Sequence, residues 1–166
     1  MYKVLTIAVL VAALVVMLAA SLTAARAPAE KMSFRAQLTG DQVVPPVTTP
    51  ASGDAMFRLS EDGKTLRYKL AVTRLEDPSL AHIHLAAAGE NGPPVVVLFD
   101  ASQERAPITG EFSGTLARGA ITADKFVGPL ARKPMRNLVK QIRAGKAYVN
   151  VHTKAYPDGE IRGQIE

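Results

Sequence analysis

The chain has 166 residues, 48% of them hydrophobic, which suits one continuous core preceded by a leader. It contains no cysteine, which excludes a disulfide framework, a thiolate metal site and a lipid-anchored cysteine; any metal must be held by His, Asp or Glu. The net charge is +5, but Lys3 and Arg26 fall in the leader, and the +3 left on the rest is too slight an excess to indicate a nucleic-acid partner.

The leader comes first. Lys3 is followed by the run Val4–Ala20, which has no charge and only Thr6 polar. Ala27-Pro28-Ala29 fits an A-x-A cleavage pattern, and Thr23-Ala24-Ala25 fits it less well. Residues 1–29 therefore read as a secretory signal peptide. The apolar run also approaches the roughly 20 residues that span a bilayer, so a retained N-terminal membrane anchor is the alternative. Either way residues 30–166 are expected to be exported, to the periplasm, the surface or the medium.

Residues 28–33 read as a tether. Beyond them, short segments alternate polar and apolar residues and are separated by Gly, Pro and Asp signals, the pattern of an all-β domain. In "KTLRYKLAV", Leu66, Tyr68, Leu70 and Val72 share one face, with Arg67 and Lys69 opposite. "SEDGK" is the turn before it, and "ASGDAMFRLS" supplies its hairpin partner. "AHIHLA" reads as a strand and "GENGPP" as a turn. "ITGEFSGTLARG" alternates again, with Ile108, Gly110, Phe112 and Gly114 on one side.

One segment has a different period. In "KPMRNLVKQIRAGK", Met135, Leu138, Val139 and Ile142 form one helical stripe, so a short helix is expected near 134–144. Pro134 suits its first turn and Gly145 its C-terminal cap. Arg136, Lys140 and Arg143 fall on the remaining, solvated surface. After it, "AYVNVHT" and "GEIRGQI" flank the turn signal Pro157-Asp158-Gly159 and should form a hairpin. A register that respects the alternation sets His152 across from Glu160, and Asn150 across from Arg162.

The three histidines of the chain, His82, His84 and His152, all lie in such strand motifs. An HxH strand sends both rings to one face, where they can reach a common ion, since metal–nitrogen bonds are about 2 Å. Two readings stand. In one, His82, His84 and His152 form a three-nitrogen site for copper or zinc, with Cu(I) disfavoured for lack of Cys or a placed Met. In the other they belong to a polar network with Glu160 and Arg162 that fixes strand register and binds nothing. No G-x-S-x-G elbow and no nucleotide-binding glycine motif is present, so neither a serine nucleophile nor a nucleotide is indicated.

Over Ser33–Glu166 the chain resembles the CHRD domain, the module named from chordin and also found singly in bacterial exported proteins. The resemblance is carried by "AQLTGDQVVPPVTTPASGDAMFRLSEDGKTLRYKL", by "AHIHLAAAGENGPPVVVLF" and by "AGKAYVNVHTKAYPDGEIRGQI". It departs from the family at Val43, where a Glu is common, and at Leu85-Ala86-Ala87, where Gly-Pro-Ala is common. The resemblance implies an immunoglobulin-like antiparallel β-sandwich over residues 30–166. It also implies an interaction module for an extracellular or periplasmic protein rather than an enzyme. The His-x-His strand is similar to the copper-site strand of Cu/Zn superoxide dismutases, which makes a small copper oxidoreductase the alternative of another class; a metal-free structural module is the third. Asn150, Glu160 and Arg162 are expected to orient His152 and each other, or to serve the fold alone.

Overall fold

Residues 31–166, the part described by the computed structural model, turn the alternating segments into eight strands and one α-helix. The signal-peptide or anchor reading of residues 1–29 lies outside the described residues. In chain order the elements are β1 (Ser33–Thr39), β2 (Ser52–Leu59), β3 (Leu66–Glu76), β4 (Pro78–His84), β5 (Pro94–Asp100), β6 (Glu111–Ile121), α1 (Met135–Arg143), β7 (Tyr148–Thr153) and β8 (Ile161–Gln164).

The all-β antiparallel expectation holds, and the sandwich is built from one sheet rather than two. The strand order is β5-β4-β7-β8-β1-β2-β3-β6, and every neighbouring pair is antiparallel. The halves β5-β4-β7-β8 and β1-β2-β3-β6 meet at a narrow seam. There Thr39 pairs with Arg162, and Arg35 exchanges both backbone hydrogen bonds with Glu166. Gly163 permits the close approach, because a Cβ there would collide with the carbonyl oxygen of Gln37. The chain crosses from one half to the other at Asp77, whose Oδ1 accepts the Gly110 N–H at 2.8 Å. That bond and the positive φ of Gly110 delay β6 to Glu111, so Ile108–Gly110, expected within the alternating strand, form its approach instead.

Inward-facing residues of both halves join in one core. Phe34, Leu38, Phe57 and Leu70 come from one side, and Ile83, Val149, Val151 and Ile161 from the other. Apolar burial of this kind contributes about 25 cal/mol per Å² removed from water. The helix lays Met135, Leu138, Val139 and Ile142 onto the core, the stripe expected from its spacing. Pro134 sits just before the first turn rather than in it. At the other end Gly145 has φ +66°; its N–H bonds to Ile142 O and that of Lys146 to Gln141 O, a paired C-terminal closure that favours glycine. Strands, helix and core all fall within Lys31–Glu166, a compact unit by itself. Among the described residues no helix is long and apolar enough to cross a membrane.

Candidate metal centre

Strand β4 lies between β5 and β7, and this placement brings the histidines together. The register sets His82 beside Asn150, His84 beside Tyr148 and Leu80 beside His152. Ile83, Val149 and Val151 point into the core and are fully buried. The alternating residues point outward, yet they are not in water: His84 is 9% exposed, His152 8%, Asn150 6% and Arg162 2%. The loops after β4 and after β7 lie over this outward face and turn it into a second, polar interior.

One ring nitrogen from each of His82, His84 and His152 lies within 4.8 Å of the others. His82 Nδ1 and His152 Nε2 are 3.3 Å apart. His84 Nδ1 is 2.8 Å from Gly92 O, and His152 Nδ1 is 2.8 Å from Pro157 O. A carbonyl only accepts, so both Nδ1 atoms carry the proton and both Nε2 atoms carry a lone pair. His82 Nδ1 is then the donor in its contact with His152. His84 Nε2 is buried with no hydrogen-bond partner, an arrangement that costs about 1–3 kcal/mol for a neutral polar atom.

The chemistry of the set fits a metal. Histidine ligands characteristically hand their second N–H to a backbone carbonyl, which fixes ring and tautomer; Gly92 and Pro157 do this here. A spread of up to 4.8 Å slightly exceeds twice a metal–nitrogen bond of about 2 Å, so closure on an ion needs a movement of about 1 Å. All three rings are held below the usual imidazole pKa, first by burial. His82 is pushed down to about 4 by burial and then by the neighbouring His152 and His84, with Asp100 opposing. For His84 the Gly92 carbonyl opposes, while His152 and the Arg162 charge lower it further. For His152 the Pro157 carbonyl and Asp158 oppose. The rings are therefore neutral at pH 7, the form that coordinates.

The surrounding polar residues have separate tasks. Arg162 stacks over the Tyr148 ring at 3.5 Å, and Tyr148 stacks on His84 with ring centres 5.0 Å apart. The same guanidinium donates to Asn91 Oδ1, Ala87 O and Glu90 O, and so clamps the loop that presents Gly92 O to His84. Asn150 pairs with Arg162 across the hairpin as the alternation indicates, and its Nδ2 donates to Asp158 O at 3.0 Å. Its Oδ1 is buried without a partner.

Glu160 differs from expectation. It does not face His152, because its N–H bonds to Val151 O although Val151 already opposes Ile161. Two residues then face one, a β-bulge that turns the side chain away. Its carboxylate accepts from Thr49 and Thr153 hydroxyls at 2.6 and 2.7 Å, and the Pro157 carbonyl orients His152 in its place. The stacking of Tyr148 and the Asn91 clamp were not singled out from sequence. Tyr148 shares a strand face with Asn150 and His152, which is the signal that could have found it.

A family model for the CHRD domain matches residues 34–165. The chain is similar to chordin from Xenopus laevis, 33% identical over 133 residues, and to chordin from Danio rerio, 35% identical over 133 residues. Each match covers 77% of this chain and 12% of the relative, so the chain spans a small part of those proteins' length.

Proposed function

The chain belongs to the CHRD domain family, and from that premise we propose that it is an exported, non-enzymatic binding module holding one divalent ion, Cu(II) or Zn(II), through His82, His84 and His152. The observation that carries this reading is His84 Nε2, a buried lone pair without a partner beside two other imidazoles. Neutral rings, each Nδ1–H of His84 and His152 held by a carbonyl, supply the donor set that copper(II) and zinc accept. Such an ion would tie β4 to β7 and stabilise the folded state by mass action. Export rests on the apolar run Val4–Ala20 and the small residues after it.

Titration calorimetry on residues 31–166 tests the site. About one equivalent of Cu(II) or Zn(II) is taken up by the parent, with a rise in Tm, and none by His82→Ala. Uptake unchanged in His82→Ala overturns the site.

A second reading has its own support in the 3.3 Å contact between His82 and His152, which satisfies both atoms without an ion. The rings then form a register-fixing network. It calls for no metal uptake by the parent and a fall in Tm in His152→Ala.

A further inference from the structure

The other half of the sheet carries a feature with no part in the histidine cluster. Register aligns Arg35 with Met56, Met56 with Lys69 and Lys69 with Arg118, one row across β1, β2, β3 and β6. In the neighbouring row Arg58 stands directly opposite Arg67. All six side chains are exposed, Met56 at 56%. With strands about 4.8 Å apart, the row extends roughly 15 Å.

This face holds two cross-strand pairs of basic residues, Arg58–Arg67 and Lys69–Arg118, while an acidic pair, Glu76–Glu111, stands apart from them at the other end of β3 and β6. Such pairs destabilise a sheet. The ion pair found among the described residues, Lys154–Asp77, lies elsewhere and relieves neither. The nearest acid is Asp54, the next outward residue of β2 beside Met56, and the other nearby acids sit at the rim. In the β2–β3 turn, Asp62 is engaged by the Ser60 hydroxyl and the Lys64 N–H, and Glu166 borders the groove beside Arg35. A face that keeps mutually repelling cations in the open is complementary to an external array of anions.

Two observations favour a lipid surface over a soluble polyanion. The cations surround an exposed methionine whose apolar side chain can enter the headgroup boundary while the long Arg and Lys stems extend beside it. The described domain also begins at Lys31, which lines this same groove and follows the uncharged run Val4–Ala20 in sequence after a ten-residue segment that includes Arg26 and Glu30.

We propose that the outward face of β1-β2-β3-β6 docks on an anionic bilayer surface through Arg35, Arg58, Arg67, Lys69 and Arg118, with Met56 at its centre. The docking is independent of any metal at the histidines and leaves that cluster, on the other half of the sheet, unengaged.

Residues 31–166 hold every described strand and the core they build, so this segment is tested without the apolar run of the sequence before it. Co-sedimentation uses vesicles of phosphatidylglycerol mixed with phosphatidylcholine, and of phosphatidylcholine alone. Binding is expected to the anionic vesicles only, and to vanish at about 1 M salt, where the screening length is about 3 Å. Each cation contributes about fivefold in affinity. Arg58→Glu with Lys69→Glu abolishes sedimentation, while Lys154→Glu leaves it unchanged. Circular dichroism confirms that each variant is folded. No sedimentation of the parent at low salt overturns the proposal, as does equal loss in Lys154→Glu. Binding to dextran sulfate without binding to vesicles overturns it in favour of a soluble polyanion.

Discussion

The outward faces of the two half-sheets follow the same alternation and end in opposite surroundings. On β1, β2 and β3 the outward residues Arg35, Arg58, Arg67 and Lys69 stand in solvent. On β4, β7 and β8 the outward residues His84, Asn150, His152 and Arg162 are covered. The period of two decides which side chains leave the core; the loops decide whether they then meet water. Under cover, a polar group must find fixed partners or remain unsatisfied at a cost. The covered face consequently has defined distances, shifted imidazoles and two orphan atoms, and the open face has repelling charges.

The contrast is broken most strongly at Arg162. Arg162→Ala removes the hydrogen bonds to Ala87, Glu90 and Asn91, leaves those neutral acceptors unsatisfied and should destabilise by about 3 kcal/mol in urea unfolding. Arg67→Ala, on the open face, should stay within about 0.5 kcal/mol. Similar small values for both would mean that the loop cover is not held as described. Glu160→Gln leaves one of the Thr49 and Thr153 hydroxyls poorly matched, and a loss of about 1–3 kcal/mol is expected.

Acidification sharpens the comparison next. The three imidazoles have folded pKa values below the unfolded 6.5, so their contribution is complete above pH 6.5. It is lost as pH falls from there through about 4, where His82 titrates in the fold. Thermal melts without metal should show Tm falling over that window, and His82→Gln should flatten the curve. A parent Tm independent of pH between 7 and 4 would contradict the buried, neutral rings. The smallest effect belongs to the open face: Arg58→Glu turns a repelling cross-strand pair into an attracting one and should raise stability by about 0.2–1 kcal/mol.

Much of this was legible beforehand. Alternation located β2, β3, β4, β7 and β8, the 3.6 period located α1, and the Pro157-Asp158-Gly159 turn gave the Asn150–Arg162 pairing. Strand β5 was not, because Val95–Phe99 is a continuous apolar run with no alternation to read. Nor was the order β4-β7-β8, since pairing between segments 70 residues apart is decided by loops and core packing that local period does not encode. The bulge at Glu160 shifted one side chain to the other face, which an uninterrupted two-residue period cannot anticipate. The covered state of the histidine face was illegible for the same reason as the order: Gly92 and Pro157 act through their carbonyls, and any residue type has one.

The seam between β1 and β8 governs when this fold can complete. Residues 33–39 receive their second neighbour from residues 162–166, so β1 waits for a partner far later in the chain. Closure of such a distant pair is slow, because the whole intervening loop must be restrained before any bond rewards it. A nascent domain of this design can form its β1-β2-β3 meander early, but it stays an open, unfinished sheet until residue 166 has been synthesised.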